Sequence, residues 1–365
     1  MYSINFTLKS INKIGILLVI LICSGDQATF SQSIQNYDIV VYGATSTGIS
    51  SAIQSSRMGK KVILIEPTNR IGGLTTGGLG QTDIGNKQAI GGLSREFYQQ
   101  VKAYYQKPEN WIWQKKETYK DGGQTTSAAH EDAMWTFEPS AALKVYKDML
   151  SKEQNISLVY NQRLNRKTGV KKTAGKITSI QMESGQIYQG KIFIDASYEG
   201  DLMAAAGINY TVGRESNNQY GESLNGIQAN RVSLTLRKTT SMNGAYHNFV
   251  DGVDPYIRKG DPKSGLLPFI DPEKPGIDGK GDTKIQAYCY RMTLTDHPEN
   301  RIPFAKPEGY KELDYELLFR NYEAADGPVE KMYDYGDPLV PWINSDMPNR
   351  KTDTNNQKGF STDFI

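Results

Sequence analysis

The sequence predicts an α/β fold, a parallel sheet flanked by helices and followed by a region of mixed or antiparallel β-structure. Three observations carry that expectation. Two short apolar runs, 39–42 and 62–65, have the length and composition of strands buried on both faces. The glycine-punctuated turn and amphipathic stretch between them make a β-turn-α-β unit of about 30 residues. After residue 208 the composition shifts to alternating segments, 231–237 and 285–294, separated by a run rich in Gly, Pro and Asp.

Each part of the first unit has a physical job. Gly43 permits a sharp strand-to-helix turn that a Cβ would obstruct. Ile49, Ala52 and Ile53, with Met58 beyond, recur at helical spacing, and Gly59 suits the helix C-terminus. Free N–H groups at the helix start, with the positive end of its dipole, suit a pyrophosphate held by Gly43, Thr45, Ser46 and Gly48. Gly48 also lets the helix pack close to the strand. Glu66 follows Gly43 by 23 residues and ends the second strand. From there its carboxylate can accept hydrogen bonds from ribose hydroxyls, and it would repel a 2′-phosphate. Gly72 and Gly73 allow a second close backbone approach to a cofactor. The pattern departs from G-x-G-x-x-G at Thr45: either the side chain is bypassed, or its hydroxyl donates to the phosphate. The competing reading is an ordinary strand-helix-strand unit without a ligand; the acid at the end of the second strand weighs against it.

Seven strings extend the pattern: VVYGATSTGI, LIEPTNRIGGLTTGGLG, AIGGLSREFY, WTFEP, FIDASYEGDLMAAAG, YTVGRES and YCYRMTLTD. Together they resemble the bacterial FAD-dependent oxidoreductases with a glutathione-reductase-type flavin fold, allied to the heterodisulfide-reductase A-type flavoproteins. The resemblance implies a Rossmann-type FAD/NAD(P)-binding domain with a parallel sheet over 34–207, with a loop insertion at 106–134. A β-rich substrate or cap region over 208–350 would follow. It implies FAD rather than NAD as resident cofactor, with hydride passing from a small-molecule substrate to the flavin. It also implies that Leu164 clasps the adenine with its backbone and that Asp195, ending a strand at 191–195, nears the phosphate–ribose region. A helix N-cap is the alternative role for Asp195. The glycine-rich segment 77–92 would lie along the flavin or roof its ring. Relatives of the heterodisulfide-reductase type carry iron–sulfur clusters, but Cys23 and Cys289 are the only cysteines here, so the ligands are lacking.

The remaining features bound the function. A chain of 365 residues, 38% hydrophobic and 22% charged, can bury a sizeable core. Net charge is +2 without a basic block, which excludes a nucleic-acid partner. Residues 1–33 read as a signal segment: Lys9 and Lys13 precede an apolar run at 14–23, too short to span a bilayer. Export to the periplasm or beyond follows, with no transmembrane span after signal removal. Cys23 allows a lipoprotein alternative, although Ile22 stands where a small residue is normally needed. Helices are expected at 94–105 and from Trp135 to 150, and strands at 156–160, 176–182 and 186–188. Trp111, Ile112 and Trp113 read as plugs anchoring a loop, His130 as a lone histidine, and Arg291 as one half of a structural ion pair. The polar tail 351–365 shows no closing element, and the resemblance implies a longer parent chain whose C-terminal part is missing here. No nucleophile–base pair, metal cluster or carboxylate pair stands out, so no catalytic residue and no electron acceptor is named. Two other classes stay open: an NAD-dependent enzyme, and a non-catalytic carbohydrate-binding protein on a degenerate or truncated flavin fold.

Overall fold

β1 (Gln35–Tyr42) is the strand from which the main sheet grows in both directions. The computed structural model describes residues 35–121, 131–229, 249–286, 288–325, 342–356 and 363–364. The expected signal segment, His130 and the 231–237 strand lie outside the described residues.

From β1 the chain enters α1 (Ser46–Arg57), β2 (Val62–Ile65), the single turn α2 (Gly73–Gly77) and α3 (Gly92–Gln106). Next come α4 (Pro139–Ser151), β3 (Ile156–Val159), β4 (Val170–Thr173), β5 (Lys176–Gln181), β6 (Ile187–Asp195) and α5 (Asp201–Ala205). The six strands form one sheet in the order β3-β2-β1-β6-β5-β4. β3, β2, β1 and β6 run parallel, and β5 and β4 close the far edge as an antiparallel meander. Alternation along β1 and β2 sends side chains to two covered faces. Val41 and Leu64 meet α1, α3 and α4, whereas Val40, Tyr42, Ile63 and Ile65 meet Leu164, Ile180 and Met182 beneath the meander. Burying each such side chain contributes about 1.5–3 kcal/mol.

The register positions everything that follows. Tyr42, the last residue of β1, pairs with Ile65 on one side and Asp195 on the other. Gly43, Glu66 and Ala196 therefore leave the sheet at one level, and the loops after three parallel strands converge there.

Several local expectations are corrected. The strands expected at 186–188 and 191–195 are one nine-residue strand, β6. Gly190 is not a break: a Cβ there would lie 2.6 Å from Val40 Cγ2, so the glycine admits its neighbour. β6 is also less buried than expected, with Ile192 well exposed. α4 starts at Pro139, after a buried extended stretch containing Trp135 and Phe137. Met58 is the exposed C-cap of α1 rather than part of its buried face.

The largest difference lies late in the chain. Residues 285–294 form not one central strand but two short ones, β7 (Tyr288–Cys289) and β8 (Met292–Thr295), in different sheets. Then follow α6 (Glu316–Ala324), β9 (Trp342–Met347), β10 (Lys351–Asn356) and β11 (Asp363–Phe364). The tail thus supplies structure: β10 is the middle strand of the antiparallel sheet β8-β10-β9, and β11 pairs with β7. Among the described residues no helix is long and apolar enough to cross a membrane.

Candidate dinucleotide-binding crevice

The turn after β1 is shaped by close backbone approaches. Gly43 has φ +95, and a Cβ on it would lie 2.7 Å from Ala196 O. A Cβ on Gly48 would fall 1.9 Å from Gly43 O, so only glycine lets α1 begin against the turn. Thr45 is the N-cap of α1, its Oγ1 accepting from Gly48 N at 3.3 Å and donating to Ala196 O at 2.8 Å. The hydroxyl proton is therefore spent inside the protein rather than offered to a phosphate. The amides of Ser46 and Thr47, which begin the helix, have no partner among the described residues. Ser46 Oγ lies 2.7 Å from Thr75 Oγ1.

Glu66 is buried and faces back into this turn. Its Oε2 accepts from Ala44 N at 3.0 Å, and its Oε1 accepts from Thr68 N at 2.8 Å and Thr68 Oγ1 at 2.7 Å. A carboxylate offers about four lone-pair sites, so Oε2 retains one for a further donor. Glu66 and Gly43 line a cavity of about 410 Å³, with Thr45, Arg70, Gly73 and Tyr198 among the other lining residues. That lies within the range of about 300–1,000 Å³ usual for small-molecule sites.

Gly72 (φ +93) donates to Ala44 O at 2.7 Å, and a Cβ on it would meet Thr76 Cγ2 at 2.2 Å. Gly73 passes beneath Tyr198, whose hydroxyl accepts from Leu74 N at 2.7 Å. A Cβ on Gly73 would lie 2.1 Å from that hydroxyl. The glycine pair thus gives close approach, to the protein's own tyrosine at the edge of the cavity.

Two expected residues sit differently. Leu164 is fully buried in the core under the meander, and its N–H is given to the Tyr42 hydroxyl at 3.0 Å, so its amide is not free for an adenine. Asp195 acts as a cap: Oδ1 accepts from Ser197 N and Oγ at 2.9 and 2.6 Å, and Oδ2 from Met203 N in α5 at 2.7 Å. It is not among the residues lining the cavity. Gly43, Thr45, Ser46, Gly48, Glu66, Gly72 and Gly73, by contrast, gather at the strand ends.

Sequence reasoning missed Tyr42, Arg163 and Arg166, which also line the cavity beside Pro67, Thr68, Ser197, Glu199 and Asp201. Tyr42 had a legible signal, because the last residue of a strand before a glycine turn borders whatever the turn binds. Burial holds its phenol above the ordinary pKa; the Leu164 amide opposes this, Asp201 adds to it, and Arg163 opposes it.

The antiparallel sheet meets the loop that leaves this crevice. Gln81 N donates to Asp353 Oδ2 at 2.9 Å, and a Cβ on Gly80 would strike Met347 Sδ. Arg291 forms the expected ion pair, to Asp353 at 2.9 Å. Trp111 does act as a plug, its Nε1 donating to Tyr105 O at 2.8 Å, whereas Ile112 is exposed. No group of His, Cys, Asp and Glu placed to hold a metal occurs among the described residues.

The profile of the family described as FAD dependent oxidoreductase matches residues 38–365. No curated protein matches the chain by sequence. Among solved structures, the chain is similar to GidA from Aquifex aeolicus at 16% identity, over 44% of this chain and 25% of that one, with a TM-score of 0.27. It is similar to L-proline dehydrogenase from P. horikoshii at 15% identity, over 50% and 59%, with a TM-score of 0.31. For thioredoxin reductase from T. acidophilum the figures are 18%, 44% and 34%, with a TM-score of 0.25. The chain spans between a quarter and three fifths of the length of these structures.

Proposed function

The chain belongs to the FAD dependent oxidoreductase family, and from that membership we propose that it binds FAD in the crevice after β1 and oxidises a small molecule. The observation that carries the site is the turn 43–48. Its helix-start amides at Ser46 and Thr47 are unspent, beside a buried carboxylate that keeps one accepting position on Oε2. Gly43 and Gly48 let the turn and the helix start close onto Ala196 O and Gly43 O, approaches that any Cβ would block, and so aim the free amides into the crevice. The residues present therefore fit the cofactor that the family implies.

In this reading Ser46 and Thr47 donate to the diphosphate through their backbones, helped by the positive end of α1. Glu66 accepts from an adenosine ribose hydroxyl, and Thr45 keeps the turn rigid by tying it to the loop after β6. FAD supplies an acceptor for two electrons and a proton taken from the substrate, chemistry that belongs to the cofactor. The protein binds, orients and shields. The segment 77–81 carries the chain from the crevice to the antiparallel sheet, so substrate is expected to enter from that side. A cavity of about 620 Å³ lies there, bordered by Tyr119, Lys120, Asp296 and Asp346 together with the apolar Leu294 and Met347; this mixed wall would suit a small molecule that carries both hydroxyls and apolar faces, such as a sugar-related substrate. Export remains part of the proposal, supported by the composition of residues 1–33.

Reconstitution tests the core of this reading. Purified protein mixed with FAD and desalted is expected to keep flavin absorbance and to quench flavin fluorescence. It is expected to prefer FAD to NAD. Protein that stays colourless and binds neither dinucleotide overturns the assignment. Anaerobic bleaching of the bound flavin by a panel of sugars and polyols then identifies the substrate class. Mass spectrometry of the mature N-terminus, recovered from outside the cytoplasm, tests export.

A further inference from the structure

The wall of the crevice beyond Glu66 carries two donors that the cofactor-binding turn does not use. Tyr42 is 1% exposed and lines the cavity. Its hydroxyl accepts from Leu164 N at 3.0 Å, which fixes the ring, while its own hydrogen has no acceptor among the described residues. A buried hydroxyl that accepts but does not donate is half satisfied. Arg163 is the second donor. Its backbone is pinned, because Gln162 N donates to Glu66 O at 3.0 Å and Glu183 N donates to Arg163 O at 2.7 Å. Arg163 lines the same cavity, close enough for its charge to act on the Tyr42 phenol, and its guanidinium has no ion-pair partner among the described residues, whereas the neighbouring Arg166 is paired with Asp201.

We propose that Tyr42 and Arg163 form a donor pair that recognises the adenosine half of the dinucleotide. The inference rests on the FAD reading above and deepens it. Glu66 can only accept, so it reads hydroxyl hydrogens. The phenol and the guanidinium can donate, so they read acceptors such as the ring nitrogens and sugar oxygens of adenosine. The three residues are tied to one another by backbone bonds, since the loop after β3 is held to 66–68 by Gln162 N to Glu66 O and Asn161 N to Thr68 O, and Leu164 N joins the same loop to Tyr42. This pair replaces the backbone contact that Leu164 cannot make.

The test measures binding to the full chain, freed of flavin, for wild type, Arg163→Ala and Tyr42→Phe. FAD is followed by fluorescence quenching, and ADP and adenosine by competition. Each variant is expected to weaken all three ligands by a similar factor, about tenfold for Arg163→Ala and somewhat less for Tyr42→Phe. Arg163 is exposed, so its variant leaves the fold intact. Tyr42→Phe orphans the Leu164 amide and is measured well below its unfolding temperature. Loss for FAD with ADP unchanged places the pair at the flavin half and overturns the proposal. Loss for FAD and ADP but not adenosine makes Arg163 a phosphate ligand and also overturns it. Unchanged binding in both variants does the same while leaving the FAD site standing. Wild type that binds none of the three ligands removes the FAD reading itself, and this inference with it.

Discussion

Two polar regions of this molecule, one around the buried Glu66 and one around the buried Glu138, differ by what their groups leave unspent. At the crevice, Ser46 and Thr47 keep free amides, Glu66 keeps an accepting position, and Tyr42 keeps its hydrogen. At the β9–β10 hairpin the ledger is nearly full. Glu138 is 4% exposed and accepts from Tyr105 Oη at 2.9 Å, Asn349 Nδ2 at 2.6 Å and Lys351 Nζ at 2.6 Å. Asn349 also donates to Asn110 O at 2.9 Å and accepts from Trp113 N at 3.1 Å. Asp353, 1% exposed, takes Gln81 N and Arg291. The exception is Arg291 Nε, buried without a partner among the described residues. Unspent hydrogen-bonding capacity marks a place built for a ligand; spent capacity marks a latch holding the antiparallel sheet on the main one.

Breaking the latch has the largest expected effect. Glu138→Ala would strand the Lys351 ammonium and the Asn349 amide in a mostly buried position, at a cost of about 3–5 kcal/mol. Denaturant unfolding measures it. If the comparison holds, FAD affinity measured below the transition stays near wild type; a stable variant that has lost FAD would erase the distinction. Gly48→Ala sharpens it from the other side. With a Cβ 1.9 Å from Gly43 O, either the helix start or the turn must move. The cost is about 1–3 kcal/mol, and here FAD affinity is expected to fall along with stability.

The same contrast explains what was legible in the sequence. The crevice is written locally: Gly43, Gly48, Glu66 and the glycine pair fall within one strand-helix-strand unit, so spacing alone brings them together. The latch is written at long range. Asn349 and Glu138 are 211 residues apart, and the strand that carries Lys351 reads KTDTNN, with no apolar residue to announce burial. Its turn is equally quiet, because Asn349 and Arg350 adopt φ +63 and +56 without a glycine. Thr45 illustrates a third case. The sequence located it correctly, but whether its hydroxyl served phosphate or protein depended on Ala196, 151 residues away. Leu164 was displaced by the same kind of distant partner, Tyr42.

The smallest effect belongs to a contact that is neither ligand site nor latch. Arg57, in the last turn of α1, grips Glu96 of α3 with two bonds of 2.8 and 2.9 Å and reaches Glu153 at 2.8 Å. Those hydrogen bonds from Arg57, against a desolvation penalty, hold the Glu96 carboxyl below its ordinary range. A carboxyl whose folded pKa is depressed contributes stability above its unfolded pKa and loses it as pH falls through the folded one. Glu96→Gln is therefore expected to destabilise slightly at neutral pH and to match wild type in acid, with the gap closing below the usual glutamate range. Arg57 and Glu96 are 39% and 31% exposed, so solvent screening keeps the gap under about 1 kcal/mol, and added salt narrows it further. Unfolding free energies for the two proteins across acidic and neutral pH read this directly. FAD affinity is expected to stay constant between the variants throughout. A change in it would mean that the C-terminal end of α1 is coupled to the amides at its start, and that unspent capacity alone does not delimit the site.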